Sequence, residues 1–166
     1  MIDVQANLRG VPQGQQGKAI SGGAMFRKLF GTKDDITFLL LRVILAAVFI
    51  PHGLQKIVGF SAIMNAFTVQ LGIPPVLAFC AILAETLGPL GLITGLLTRV
   101  AALGIAVNMV VCVYLNHWQN GFFMNWYGNQ KGEGFEYHIL VVAIALALMI
   151  SGGGKWSMDR KIAGKV

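Results

Sequence analysis

Four long apolar runs, separated by short polar stretches, fill the chain from residue 35 onward. The hydrocarbon core of a bilayer is crossed by about 20 apolar residues in helical form. The runs therefore predict transmembrane helices at about 35–60, 74–97, 98–115 and 136–150. The last two are short and need a small tilt or a thin local bilayer. We expect an all-α fold, a polytopic membrane four-helix bundle.

The segments that flank these runs are polar and basic. Residues 1–33 are interpreted as a cytoplasmic N-terminal tail, in which the amphipathic stretch 24–30 is suited to lie on lipid headgroups. Residues 34–153 form the predicted membrane domain. Residues 154–166 are interpreted as a basic cytoplasmic C-terminal tail.

Composition agrees with a membrane protein, because 55% of the residues are hydrophobic and only 12% are charged, whereas a soluble domain carries about 25% charged residues. The net charge of +6 can indicate nucleic acid or an anionic membrane surface. Here the basic residues flank the apolar runs, so the lipid bilayer is the expected partner and nucleic acid is not.

Orientation follows from the distribution of lysine and arginine between the loops. Ten of these residues lie in the two tails and in the turn between the second and third helices, whereas the opposite side has only Lys56 and Lys131. This asymmetry predicts that both termini are cytoplasmic.

Two charges fall inside the predicted spans. Arg42 lies in the first helix and Glu85 in the second. A charge within a bilayer is costly and normally faces the interior of the bundle. Their predicted depths are close enough for the long arginine side chain to reach the carboxylate. We predict an Arg42–Glu85 ion pair, either as a structural lock or as a proton relay.

Small residues in the first two helices predict close helix packing. The second helix contains a GxxxG step in GLITG, and such steps allow another backbone to approach closely. The predicted packing positions are Gly53, Gly88, Gly91 and Gly95.

Several ionisable and aromatic side chains fall near the outer ends of the predicted helices. They form either an interfacial belt with snorkelling charges or a lidded pocket for an amphipathic ring such as a quinone head group. In the second case histidine and carboxylate would exchange protons with the ring. The candidate outer-face pocket consists of His52, Lys56, His117, Trp126, Glu136 and His138.

The two cysteines, Cys80 and Cys112, both lie within apolar runs and have neither CxxC nor zinc spacing. They are interpreted as buried packing residues, and no metal site is predicted. The three histidines are all peripheral, which argues against a bis-histidine haem between the helices.

The segments LLRVILAAVFIPHGLQKIVGF, AETLGPLGLITGLLTR and GEGFEYHILVVAIALALMISGGGKWSMD together resemble the DoxX family of small bacterial membrane proteins. The resemblance covers roughly residues 36–160 and rests on the order and spacing of these segments. It implies a four-helix fold in the bacterial inner membrane. It also implies a link to quinone-dependent or thiol-redox oxidoreductases, since the family is named for a subunit linked to thiosulfate:quinone oxidoreduction.

Three functions remain open. The chain is an anchor or quinone-pocket subunit of an oxidoreductase, a structural accessory subunit of a larger membrane complex, or a small transporter that works as a homo-oligomer. It has neither a CxxC motif nor a flavin fingerprint, so we expect a partner protein to carry the redox centre. Quinone is the one cofactor that these alternatives suggest.

Overall fold

The computed structural model describes residues 29–32 and 34–164, and within these ranges the regular structure is helical, without strands. The all-α prediction is confirmed for this part of the chain. The N-terminal tail lies almost wholly outside the described residues, as does most of the proposed interfacial stretch 24–30. The helices are α1 (Ile36–Val58), α2 (Phe60–Asn65), α3 (Pro75–Thr94), α4 (Thr98–Cys112), α5 (Glu136–Ser151) and α6 (Met158–Ala163).

Two helices continue into tighter or wider turns. A π-helical segment, Ala66–Gln70, follows α2. A second π-helical segment, Val113–His117, and a 3₁₀ turn, Trp118–Asn120, extend α4. Within the described part of the chain, three helical stretches are long and apolar enough to cross a membrane: Ile36–Val58, Pro75–Thr94 and Thr98–Asn120. Helix α5 is apolar as well but has only 16 residues.

Local sequence accounts for the helix ends. Asp35 caps α1, because its carboxylate accepts a hydrogen bond from the Thr37 amide at 2.8 Å. Pro75 occupies the first turn of α3, where the missing amide proton costs nothing. Gly95 ends α3 in the left-handed region at φ 65°, a conformation that glycine adopts without steric penalty.

The core is a strip of side chains at helical spacing. Helices α1, α4 and α5 contribute residues three or four positions apart, the repeat that places side chains on one face, and α3 contributes Leu92. The buried apolar cluster consists of Leu45, Ala46, Phe49, Leu92, Ala102, Ile105, Ala106, Met109, Val141, Ala145 and Leu148. Many large apolar side chains remain exposed on the outer faces, as expected for helices surrounded by lipid.

The helices run antiparallel, and the bundle has two chemically different ends. The basic end is defined by Arg42, Arg99 and Arg160, and the histidine end by Lys56, His117 and His138. Arg42 contacts the end of α3 while Lys56 contacts its middle. Helix α5 contacts α4 at both ends, through His138 and His117 at one and through Arg99 at the other.

The C-terminal segment folds back onto the basic end. Asp159 is buried, and its carboxylate accepts hydrogen bonds from the amides of Leu97 (2.6 Å) and Thr98 (2.9 Å), which caps α4. Its own amide donates to the Gly95 carbonyl at 2.9 Å. The first amides of a helix need acceptors from outside the helix, and here the C-terminal segment supplies them. The predicted domain boundary at residue 153 therefore falls inside the folded part.

Candidate functional site

Arg42 is buried as expected, with 1% of its surface exposed, but the predicted ion pair with Glu85 is wrong. Its guanidinium donates to the carbonyls of Leu92 (2.9 Å) and Ile93 (2.6 Å) and to that of Trp156 (3.0 Å). The last carbonyls of a helix have no donor within the helix. Arg42 therefore binds the end of α3 and the C-terminal segment, and lies away from the carboxylate.

Glu85 pairs instead with a lysine from the same helix as Arg42. The Lys56 ammonium lies 2.5 Å from Glu85 Oε2, and the Asn108 amide donates to Glu85 Oε1. We call Lys56, Glu85 and Asn108 the polar centre. The side chains of Lys56 and Glu85 are only 15% and 8% exposed. Lys56 therefore points into the bundle, whereas the sequence prediction placed it in an outer pocket.

Asn108 was missed by sequence reasoning. A signal was present, because it is an amide in the middle of the apolar run that forms α4. A polar side chain at that depth needs a partner within the bundle. The predicted depth of Asn108 in the membrane was not sufficient to identify Glu85 as its partner.

The polar centre depends on close backbone contact between α1 and α3. Pro89 lies four residues after Glu85 in α3 and has no amide proton, so the Glu85 carbonyl lacks its usual helical donor. A side chain at Gly53 would collide with this carbonyl oxygen. Gly53 therefore allows α1 to approach α3 closely enough for Lys56 to reach the carboxylate.

The other predicted packing glycines also lie at contacts. A Cβ atom at Gly88 would lie 3.3 Å from the Ile105 side chain, and one at Gly91 would lie 3.0 Å from the Leu96 carbonyl. At Gly95 it would lie 2.6 Å from the Ser157 side chain. These glycines thus serve the packing of α3 on α4 and on the C-terminal segment.

Cys112, His117 and His138 converge at the histidine end; we call them the His–Cys cluster. One ligand-type atom from each lies within 4.8 Å of the other two. The two imidazole rings are 4.3 Å apart between centroids. Cys112 lies one turn beyond Asn108 on α4, and Asn108 is bonded to Glu85, so the cluster adjoins the polar centre.

The π-helical segment explains why Cys112 and His117 meet. Residues five apart are about 140° apart around an α-helix. In Val113–His117 the turn is wider, and the Trp118 amide donates to the Val113 carbonyl five residues back. Such turns bring residues five apart onto one side, and they are frequent at functional sites. No α-helical projection of the sequence predicts this pairing.

The six residues of the predicted outer-face pocket do not form one pocket. His52 is exposed, and its ring lies 6.1 Å from that of Phe49. Trp126 is exposed and donates from its indole nitrogen to Glu136 at 3.1 Å. His117 and His138 pair with each other, and Lys56 belongs to the polar centre.

An open apolar groove runs beside the His–Cys cluster. This α4–α5 groove has a volume of about 390 Å³. At one end Trp118 stacks on Phe135, with centroids 5.4 Å apart and planes 9° from parallel. It is lined by Val110, Val113, Trp118, Phe135, His138, Ile139, Val142, Ala143 and Leu146.

A second, larger groove lies between α3 and α4. This α3–α4 groove has a volume of about 610 Å³ and is bounded by apolar and small side chains, among them Leu87, Gly104 and Cys80. Cys80 is exposed there, so its prediction as a buried residue is wrong, while Cys112 is half-buried. Both cysteines are free.

Comparison with known proteins finds a family and several relatives. The DoxX family model matches residues 37–118. An uncharacterized protein of Haemophilus influenzae is 30% identical over 81% of this chain and 89% of its own length. The Bacillus subtilis protein named "Putative oxidoreductase CatD" is 30% identical over 69% of this chain and 79% of its own.

A third relative, the inner membrane protein YqjF of Escherichia coli, is 28% identical over 76% of this chain and 92% of its own length. No solved structure gives a significant match.

Proposed function

The chain belongs to the DoxX family and is a multi-pass protein of the bacterial inner membrane, and from this premise we propose that it is the quinone-binding membrane subunit of an oxidoreductase system. The observation that carries the proposal is the α4–α5 groove. A volume of about 390 Å³ is within the range of ligand pockets. It opens on the outer surface of the apolar helices α4 and α5, which the proposed four-span topology places against acyl chains, so a lipid-soluble ring could enter from the bilayer.

The lining of the groove suits a quinone head group. A quinone is a flat ring with apolar faces and two carbonyl oxygens that accept hydrogen bonds. The stacked Trp118 and Phe135 offer a flat aromatic wall. Among the described residues that line the groove, His138 alone is titratable, and an imidazole can donate to one quinone oxygen.

The polar centre supplies a route for protons. Quinone reduction takes up protons and quinol oxidation releases them, so a site of this kind needs a titratable group close by. Glu85 is bonded to Asn108, which lies one helical turn from Cys112 of the His–Cys cluster, and His138 of that cluster lines the groove. We assign Glu85 the role of exchanging protons, with Lys56 and Asn108 holding its carboxylate in place.

The electrons would come from a partner protein. The name of the CatD relative contains the word oxidoreductase, which supports membership in a redox system.

The proposed topology has four spans and cytoplasmic termini. Helix α5 runs alongside α4 over its length, since its first turn contacts His117 and its last turn contacts Arg99. That supports a fourth crossing despite its 16 residues. The excess of lysine and arginine in the terminal segments supports a cytoplasmic basic end.

The test is the quinone content of the purified protein. Ala143 lines the groove, whereas Leu140 lies on the same helix, is 65% exposed and does not line it. Ala143→Trp should fill the groove and remove most of the co-purifying quinone, measured by extraction and mass spectrometry. Leu140→Trp should retain the wild-type amount. Equal quinone content in the two variants contradicts the proposal.

A second candidate function rests on the α3–α4 groove. Its size and apolar lining suit a helix of a larger membrane complex, for which this chain would be an accessory subunit. Leu87 lines this groove and Ile93 does not. If Leu87→Trp detaches co-purifying membrane proteins while Ile93→Trp and Ala143→Trp do not, the accessory function is favoured.

A further inference from the structure

The His–Cys cluster has the composition of a transition-metal site. It offers one thiol and two imidazoles, and one ligand-type atom from each of Cys112, His117 and His138 lies within 4.8 Å of the others. Thiolate and imidazole are the ligands that copper and zinc prefer. Three such groups on three separate segments, the end of α4, the π-helical segment and α5, need only small movements to reach one ion.

His138 provides independent evidence, because one of its ring nitrogens is buried and has no hydrogen-bond partner in the part of the chain that the structure describes. The residue is 6% exposed, and its Nδ1 atom has no hydrogen-bond partner among the described residues. A buried polar atom without a partner is unfavourable and calls for an explanation. A bound metal ion would supply that partner.

His117 is held in the form that binds metal. Its Nδ1 atom lies 2.8 Å from the Glu133 carbonyl oxygen. A carbonyl oxygen only accepts hydrogen bonds, so this contact requires a proton on Nδ1, and in the neutral imidazole the lone pair is then on Nε2. A hydrogen bond from the far ring nitrogen to a carbonyl is the usual support of a metal-binding histidine. Asn120 donates to the same carbonyl at 3.0 Å and helps to fix it.

Charge favours a monovalent ion. A thiolate and a Cu⁺ ion sum to zero, whereas Zn²⁺ would leave one positive charge in a low-dielectric surrounding, where an uncompensated charge is costly. The neighbouring carboxylate of Glu85 is already paired with Lys56.

We propose that Cys112, His117 and His138 bind one Cu⁺ ion at the histidine end of the bundle. The site goes beyond the quinone proposal and does not depend on it. His138 belongs to both sites, but Cys112 and His117 do not line the α4–α5 groove, so metal binding can be changed through these two residues without filling the groove.

The test is a competition for Cu⁺ between the purified full-length protein and a chromophoric Cu⁺ chelator under reducing conditions. The wild type should take up one Cu⁺ per chain. Cys80→Ser is the matched control, since Cys80 is the other free cysteine and lies outside the cluster; it should bind as the wild type does. Cys112→Ser should weaken binding by more than about 100-fold, the upper end of what loss of a supporting residue costs.

Folding and ligand identity are checked separately. The thermal unfolding of metal-free Cys112→Ser should match that of the wild type, and X-ray absorption of the loaded wild type should report one sulfur and two nitrogen ligands. Equal Cu⁺ binding by Cys112→Ser, no binding by the wild type, or preference for Zn²⁺ over Cu⁺ would overturn the proposal. Absence of copper together with quinone loss in Ala143→Trp would overturn the metal site and leave the quinone proposal standing.

Discussion

Gly53 in α1 lies directly against the backbone carbonyl of Glu85 in α3. Two residues that are 36 positions apart along the chain contribute to this contact. Gly53 leaves space for the carbonyl, and Pro89 leaves the Glu85 carbonyl without its helical donor. The contact between Gly53 and the Glu85 carbonyl sets the distance between α1 and α3. The Lys56–Glu85 ion pair, one turn further along α1, depends on that distance.

Gly53→Ala is therefore expected to destabilise the bundle. The added methyl group meets rigid backbone, and overpacking of this kind costs about 1–3 kcal/mol. Thermal unfolding in detergent measures the loss. Gly88→Ala is the control and should cost less, because the nearest atoms at Gly88 belong to the Ile105 side chain, which can move. A larger loss for Gly88→Ala would contradict the conclusion that Gly53 has less room for a side chain than Gly88 has.

The buried ion pair predicts strong non-additivity. Removing one partner leaves an uncompensated charge, so Lys56→Met or Glu85→Met alone should each destabilise by about 3–5 kcal/mol. The double variant should be close to the wild type in stability, because paired charges replaced by apolar groups are often neutral. Chemical unfolding of all four proteins gives the coupling free energy. Additive losses would mean that Lys56 and Glu85 do not interact.

Asp159 caps α4, and we predict that this contact anchors the C-terminal segment. Loss of the carboxylate in Asp159→Ala frees the amides of Leu97 and Thr98, and losing such a cap costs about 1–2 kcal/mol. Trypsin should then cleave after Lys155 faster than in the wild type. Met158→Ala, at a neighbouring exposed position, should leave the rate unchanged. Equal cleavage of the two variants would show that the cap does not anchor the segment.

The exposed pair of Arg160 and Asp34 predicts a small pH dependence. The Arg160 guanidinium bonds the Asp34 carboxylate and holds the pKa of that carboxyl below its usual value of 3.8. The pair therefore stabilises the fold above that pH, and the contribution is lost as the pH falls through the lowered pKa.

The difference in melting temperature between the wild type and Arg160→Gln should be small and positive at neutral pH, and it should shrink in acid and in high salt. A difference that is constant from neutral to acid pH would contradict an ionic contribution.

Helix positions were predictable because they follow from apolar runs. The start of α3 at Pro75 and the bounds of the apolar helix α5, Glu136–Ser151, agree with the predicted ranges to within one residue. Burial of Arg42 and Glu85 was predictable as well, since lipid excludes charge. These conclusions depend only on local composition and on the solvent.

The partners of those charges were not predictable from depth and helical phase. Arg42 binds backbone carbonyls because α3 ends at Gly95 and the C-terminal segment folds back onto that end. These contacts join residues that are distant in sequence. His117 reached Cys112 because α4 widens into a π-helical turn. Neither feature leaves a periodic signal in the sequence.

The most direct test of the proposed function is covalent labelling with a photoreactive quinone analogue in native membranes. After illumination and proteolysis, mass spectrometry identifies the labelled residues. We predict labels on the residues of the α4–α5 groove, such as Val142 and Ala143, that disappear when excess natural quinone is added. Labels confined to α1 or α3, or labels that excess quinone does not displace, would contradict a quinone site in this groove.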